Sequence, residues 1–208
     1  TEFVIGQGHK AQMCESYHVG CVNTTIGYFA DGKITDEQFE KAQLFVQSEI
    51  TEAYPEFNTN TWDEAYGSSG TMDAISTILR TMGLSEEGEV TSEHLAILRK
   101  LLIQQGEISR LELPGLMDNR REVIVGGLVV LSAVFETLKI KVMHPCTGAL
   151  RVGLLYDLLD RKCQQDIREE SAQALLNWTS VDKEQAQRVQ SLSLSLFNQV
   201  CPQASDED

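Results

Sequence analysis

The sequence has no long hydrophobic run and few basic residues. Its longest apolar stretch, Val123 to Val134, is interrupted by Gly126, Gly127 and Ser132, whereas a membrane-spanning helix needs about 20 apolar residues. A membrane span is therefore excluded. Only 17 lysines and arginines stand against 31 aspartates and glutamates, so the formal net charge is −14. Because binding to a nucleic-acid backbone depends on clustered positive charge, general nucleic-acid binding is excluded as well.

Cysteine is scarce, and its spacing forms no recognisable pattern. The five cysteines are an odd number in a chain that is too long to need disulfide bonds for stability, so we expect reduced thiols in a cytoplasmic protein. Cys14, His18 and Cys21 match no usual zinc spacing, and no second ligand pair follows them. The N-terminus also lacks the basic, apolar and cleavage segments of a signal peptide.

The hydrophobic pattern predicts an α/β domain followed by helices. With 42% hydrophobic residues among 208, the chain can bury one core, and strands that alternate with helices indicate a sheet covered by helices. The predicted elements are a hairpin of strands 2–6 and 11–19, a helix from the capping box at 35–38, a strand at 62–66, a loop at 67–71, helices at 72–82, after Thr91 or Ser92 and around 128–138, a strand at 141–143, and two further helices at 165–178 and 182–200.

One loop has the composition of an anion site. Gly67, Ser68, Ser69, Gly70 and Thr71 lie between a predicted strand and a predicted helix. Glycines let the backbone approach a ligand, while hydroxyls and the amides at a helix start can surround an anion. The alternative is a tight turn whose Ser or Thr caps the next helix. The pentapeptide alone does not choose between the two.

A second segment superficially resembles the loop of cysteine-dependent phosphatases. Cys146 precedes Arg151, but four residues intervene instead of the five that such a loop requires. The guanidinium would then be misplaced around the phosphate. We therefore expect Cys146 to be an ordinary buried thiol and Arg151 to be a separate anion contact or a partner in an ion pair.

Several segments in fixed order resemble the exopolyphosphatase and guanosine pentaphosphate phosphohydrolase family. The opening residues Thr1 to Gly6 are similar to the end of that family's Gly-Gly-Gly-Ser-Thr-Glu phosphate loop and the strand that follows it. The other similar segments are His18 to Val22, Tyr28 to Gly32, Gly67 to Thr71, Leu113 to Leu116, Gly148 to Arg151, Gln165 to Arg168 and Gln185 to Val189.

The resemblance implies a mixed sheet with flanking helices, forming one lobe of an actin-like (ribonuclease H-like) fold. This second lobe of the catalytic core would span residues 1–160, and residues 161–208 would begin a C-terminal helical extension. The implied reaction is attack of water on a terminal phosphate of polyphosphate or guanosine pentaphosphate, with a magnesium ion (Mg2+) as cofactor.

The resemblance also implies the site residues. Glu2 would be catalytic and would hold the metal or the attacking water, and Thr1 would belong to a phosphate loop. Gly67, Ser68, Ser69, Gly70 and Thr71 would line the cleft, and Arg120 and Arg151 are candidates for binding the anionic chain. For both arginines a structural salt bridge is an equal alternative. A second phosphate loop and the general base would come from an N-terminal lobe outside this chain, so the chain alone should be inactive.

The sequence departs from the family pattern at two positions. Val152 stands where an acidic residue usually follows Ala-Leu-Arg, and Thr147 stands where many members have Asp or Gly. Two other functions therefore stay open, a sensor that binds alarmone nucleotides without turnover and a phosphotransferase of the same fold. The preferred substrate is open too, and a homodimer is compatible with the sequence.

Overall fold

Two small sheets and a group of packed helices make up the described part of the chain. The computed structural model describes residues 1–8, 10–51, 55–57, 61–148, 151–156 and 182–200. Residues 151–156 are helical. The other elements are, in order, β1 (Glu2–Gln7), β2 (Lys10–Ser16), α1 (Cys21–Tyr28), α2 (Asp36–Ile50), β3 (Ala65–Gly67), α3 (Ser69–Thr81), β4 (Val90–Thr91), α4 (Ser92–Gln105), a short 3-10 helix (Ile108–Arg110), α5 (Asp118–Arg121), α6 (Ile124–Leu138), β5 (Val142–Pro145) and α7 (Lys183–Val200).

The predicted N-terminal hairpin is confirmed. Strands β1 and β2 pair antiparallel, with Glu2 opposite Ser16 and Gln7 opposite Lys10. β2 ends at Ser16, three residues earlier than predicted. The backbone then turns towards α1, whose N-cap is Gly20. The hairpin thus places the first residues of the chain beside the start of α1.

A mixed three-stranded sheet has the order β3, β5, β4. β3 and β5 are parallel with Gly67 opposite Pro145, whereas β4 is antiparallel to β5. The Cys146 N–H donates to the Gly67 carbonyl at 2.8 Å and extends the pairing by one step. Because the carboxyl ends of parallel strands meet at one edge, the segments after Gly67 and after Pro145 leave the sheet together. Ligands of open α/β sheets bind at this kind of edge.

Helix α6 is the centre of the core. Most of its residues are apolar and buried, among them Val125, Leu128, Val129 and Ala133, as expected of a helix that neighbours cover on most sides. It contacts α1, α2, α3 and α4. The helix begins at Ile124, four residues before the predicted segment.

A glycine pair at the start of α6 lets two other helices approach closely. A Cβ on Gly126 would lie 2.3 Å from the Cys21 carbonyl oxygen in α1, and a Cβ on Gly127 would lie 2.7 Å from the Thr71 Cγ2 in α3. Real Cβ contacts are not that short, so both positions require glycine. The pair therefore holds the beginnings of α1 and α3 on either side of α6.

Helix starts that lie away from this glycine pair are capped as the sequence predicts. Thr35 and Gln38 form a complete capping box at α2, and the Thr91 side chain accepts a hydrogen bond from the His94 N–H at the start of α4. α1 and the short strand β4 were not predicted. At eight and two residues, both are too short to show a clear hydrophobic period.

The C-terminal helix is confirmed in part. α7 agrees with the predicted helix at 182–200. The predicted helix at 165–178 and the predicted domain boundary after residue 160 lie outside the described residues. Within the described ranges, no helix combines the length and the apolar character needed to cross a membrane.

We predict that Gly126→Ala lowers the free energy of unfolding by about 1–3 kcal/mol, because the new methyl group would overpack the contact with the α1 backbone. The matched control is Gly27→Ala, where a Cβ in α1 meets nothing within 4 Å and should stabilise the helix by roughly 0.5–1 kcal/mol. Urea denaturation followed by circular dichroism measures both. Equal effects of the two substitutions would contradict the packing argument.

Candidate phosphate-binding site

The predicted loop at 67–71 is in fact a strand end followed by the first turn of a helix. Gly67 closes β3, Ser68 is the N-cap, and α3 begins at Ser69, three residues before the predicted start. The prediction of a separate loop is wrong because β3 runs directly into α3. A Cβ on Gly67 would lie 2.6 Å from the Met143 sulfur and 2.9 Å from Met72, so a larger residue would have to displace these two methionine side chains.

The start of α3 carries no side-chain cap. Ser68 makes no capping hydrogen bond, so the alternative that this segment merely caps its helix is not realised at Ser68. The first amides of a helix have no intrahelical acceptor and attract anions. The first turn of α3 thus offers backbone donors to a negatively charged group.

Ser69 holds a strained backbone conformation at this point. Its φ is +82°, in the left-handed region that costs a residue with a side chain about 1–2 kcal/mol. Such strain persists only where the surrounding structure enforces it, and it concentrates at ligand-binding sites. No sequence pattern predicts this conformation, since a serine at a helix start usually has ordinary dihedral angles.

The Arg120 guanidinium lies directly over the first turn of α3. A Cβ on Gly70 would come within 2.0 Å of Arg120 Nη2 and 2.2 Å of its Cζ, so the guanidinium occupies the place of the missing side chain. The Arg120 side chain makes no ion pair or hydrogen bond with a described residue, whereas the adjacent Arg121 pairs with Asp118 at 2.7 Å. Among the described residues, the alternative of a structural salt bridge is therefore not realised for Arg120.

Thr1 is hydrogen-bonded to the segment that leads into α1. Its Oγ1 donates to the Val19 carbonyl at 2.6 Å, and Val19 leads through Gly20 into α1. The first turn of α1 contacts Gly126, and Thr71 contacts Gly127. Thr1 is therefore connected to Gly126 only through Val19, Gly20 and the first turn of α1.

The helix starts around the glycine pair differ in charge from those elsewhere. α1 and α3 have no acidic residue in the first turn and no side-chain cap. α2 carries Asp36 and Glu37, α4 carries Glu93, and both have capping threonines. Acidic groups normally stabilise a helix start. Their absence from α1 and α3, in a chain with net charge −14, leaves these two starts free for an external anion.

Glu2 is exposed and only indirectly connected to α3. Its side chain is 78% exposed, and no hydrogen bond or ion pair joins it to Ser68, Ser69, Gly70 or Thr71. Over the described ranges, no three His, Cys, Asp or Glu side chains cluster closely enough to hold a metal. One exposed carboxylate nevertheless fits Mg2+, which keeps several waters and usually takes one or two carboxylates together with substrate phosphates.

Arg151 lies in the helical residues 151–156, and no hydrogen bond or ion pair joins it to α3. It follows Gly148 by three residues, is exposed, and makes no ion pair with a described residue. Cys146 is half-buried rather than buried as predicted, because its sulfur accepts the Gly148 N–H at 3.3 Å at the open end of β5. The described residues thus bring Arg120 onto the turn at Gly67 to Thr71, whereas no hydrogen bond or ion pair joins Thr1, Glu2 or Arg151 to that turn.

The fold is that of an α/β domain of the actin-like class. Residues 1–162 match the model of the Ppx/GppA phosphatase family, and the chain belongs to that family. It is 36% identical over 202 residues to the guanosine-5'-triphosphate,3'-diphosphate pyrophosphatase of Aeromonas hydrophila subsp. hydrophila, covering 97% of this chain and 40% of that protein. The enzyme of the same name from Pseudoalteromonas translucida is 38% identical over 200 residues, covering 96% of this chain and 40% of that protein.

Solved structures show the same fold. The Aquifex aeolicus member of the Ppx/GppA family superposes with a TM-score of 0.64 at 18% identity, covering 79% of this chain and 54% of that one. An exopolyphosphatase from Cytophaga hutchinsonii gives a TM-score of 0.62 at 19% identity, covering 76% and 53%. The chain thus spans about half of these structures and 40% of the curated relatives.

We predict that Gly70→Ala weakens binding of inorganic pyrophosphate about tenfold while leaving the thermal midpoint nearly unchanged. The new Cβ would displace the end of the flexible Arg120 side chain rather than any backbone atom. The substitution should therefore weaken a charge-assisted contact with the ligand and leave the fold intact. Isothermal titration calorimetry and a melting curve measure the two effects. Arg110→Gln, which changes an exposed arginine paired with Glu107, is the control. Unaltered pyrophosphate affinity in Gly70→Ala would contradict the site.

Proposed function

We propose that this chain supplies one phosphate-binding face of a hydrolase that releases the terminal phosphate of guanosine pentaphosphate or inorganic polyphosphate. The observation that carries the proposal is the Arg120 guanidinium, which pairs with no described residue and lies over Gly70 at the uncapped start of α3. A cation and free amides that converge on one point suit a phosphoryl group. Membership of a phosphatase family supports hydrolysis as the chemistry.

The proposed role of each site residue follows from where it lies in the structure. The first amides of α3 and the Arg120 guanidinium hold and orient the phosphoryl oxygens, and they stabilise the negative charge that these oxygens carry during transfer. Gly70 lets the guanidinium come close to the backbone. Thr1, which is hydrogen-bonded beside the start of α1, is proposed to belong to a second phosphate-binding segment.

Glu2 is the proposed ligand for Mg2+ or for the attacking water. When bound, the metal would neutralise charge on the phosphate oxygens and the leaving group. Glu2 lies on the exposed strand β1, where its carboxylate is free to turn towards a ligand. The rest of the first coordination sphere would come from water, substrate and residues beyond this chain.

We also propose that catalysis needs a second lobe. The chain covers only 40% of the relatives it resembles, and over the described residues no three His, Cys, Asp or Glu side chains cluster closely enough to hold a metal. A two-lobed arrangement would close a water-excluding cleft over the α3 edge. An isolated chain of this sequence should accordingly bind anions weakly and show no turnover.

We predict that the complete protein releases phosphate from guanosine pentaphosphate in a magnesium-dependent way and that Glu2→Gln lowers kcat by about 100-fold or more, as loss of a group that stabilises the transition state typically does. Glu15→Gln, from the other strand of the same hairpin, should keep wild-type kcat. Phosphate release measured with and without chelator provides the data. Tight nucleotide binding with no release by the wild-type protein would refute hydrolysis and favour the sensor alternative.

A further inference from the structure

An exposed aromatic pair lies one residue before the phosphate-binding turn. Tyr66 of β3 is opposite His144 of β5 in the parallel register, and their rings lie 5.5 Å apart with an interplanar angle of 39°. Side chains alternate along a strand. Since the Gly67 position faces Met72 of α3, Tyr66 and His144 lie on the opposite face of the sheet. Tyr66 is 61% exposed there.

Two carboxylates frame this pair. The Tyr66 hydroxyl donates to Glu64 Oε2 at 2.6 Å, and His144 Nδ1 lies 2.9 Å from Glu89 Oε1. The hydrogen bond to Glu64 raises the pKa of Tyr66, so the phenol stays neutral. The other oxygen of each carboxylate accepts no hydrogen bond from a described residue.

The two sides of the α3 start therefore differ in charge. Arg120 covers Gly70 on one side, while Glu64 and Glu89 lie beside the aromatic pair on the other. A polyphosphate chain that continued over Tyr66 would meet these carboxylates and be repelled. A neutral nucleobase would instead stack on the exposed ring. Guanine also carries N–H donors on one edge, and the unengaged carboxylate oxygens can accept hydrogen bonds from them.

The distance between Tyr66 and Gly70 is within the span of a nucleotide. Tyr66 precedes Gly70 by four residues, so their Cα atoms are at most on the order of 13 Å apart. A phosphate chain and ribose can span a gap of this size. One ligand could then hold its terminal phosphate at α3 and its base at Tyr66.

We propose that Tyr66, supported by His144, is a base-stacking platform that makes a guanosine polyphosphate, rather than inorganic polyphosphate, the preferred ligand of this site. The assignment rests on the proposed function, because it takes the start of α3 as the phosphate-binding point. The assignment adds Tyr66 as a specificity-determining residue and favours guanosine polyphosphates over inorganic polyphosphate.

The test compares guanosine diphosphate with inorganic pyrophosphate, which differ by the nucleoside, on the complete protein by isothermal titration calorimetry with magnesium. Tyr66→Ala should weaken the binding of guanosine diphosphate at least about fivefold, which is the loss expected when one stacked base loses its aromatic partner. The same substitution should leave the affinity for pyrophosphate unchanged. Adenosine diphosphate, whose base has no donor at N1 or C2, should bind the wild-type protein less tightly than guanosine diphosphate.

Two variants serve as controls. Tyr66→Phe keeps the ring and should keep most of the affinity for guanosine diphosphate. Phe45→Ala removes another exposed ring, 41% exposed on α2, and should change neither affinity. Melting curves for all variants separate a loss of stacking from a loss of folding.

The outcomes separate the two proposals. The platform proposal would be overturned if Tyr66→Ala weakened the binding of both ligands equally, or if the wild-type protein did not bind guanosine diphosphate. Failure of pyrophosphate to bind the wild-type protein would count against the phosphate site itself. In that case, loss of guanosine diphosphate binding in Tyr66→Ala would still support the platform, and unchanged binding would overturn it.

Discussion

Close backbone contact at Gly126 and Gly127 is the constraint on which the rest of the site depends. The missing side chains let the first turns of α1 and α3 approach α6 on both sides, and α6 in turn is enclosed by the core. Protein cores resist deformation because they are close-packed. The helix starts are thereby fixed relative to each other, which is the preorganisation that a binding site for a small, highly charged group needs.

Local sequence signals were sufficient for elements whose residues are close together in the chain. The hairpin, the capping box at Thr35 and Gln38, and the terminal helix α7 were all predicted, because turn, cap and helical period are short-range properties. The exact start of α3 was missed because β3 passes into it with no intervening loop. The Gly-Ser-Ser-Gly-Thr composition looks the same whether the residues form a loop or a helical turn.

The site was only partly predictable for the same reason. Gly67 to Thr71 could be recognised by composition and by resemblance to a family. The placement of Arg120 over Gly70 depends on how α5 packs against α3, and the pairing of Tyr66 with His144 depends on parallel strands that are far apart in sequence. The left-handed Ser69 had no sequence signal at all, since tertiary packing imposes it.

The central claim is that a phosphate group binds at the first turn of α3 beneath Arg120. The most direct measurement is a map of NMR chemical-shift changes as inorganic pyrophosphate and magnesium are added to the isotope-labelled protein. The account predicts that the amides of Ser69, Gly70 and Thr71 and the Arg120 guanidinium shift most. Shifts confined to other surfaces, such as the open groove between α2 and Glu136, would contradict it.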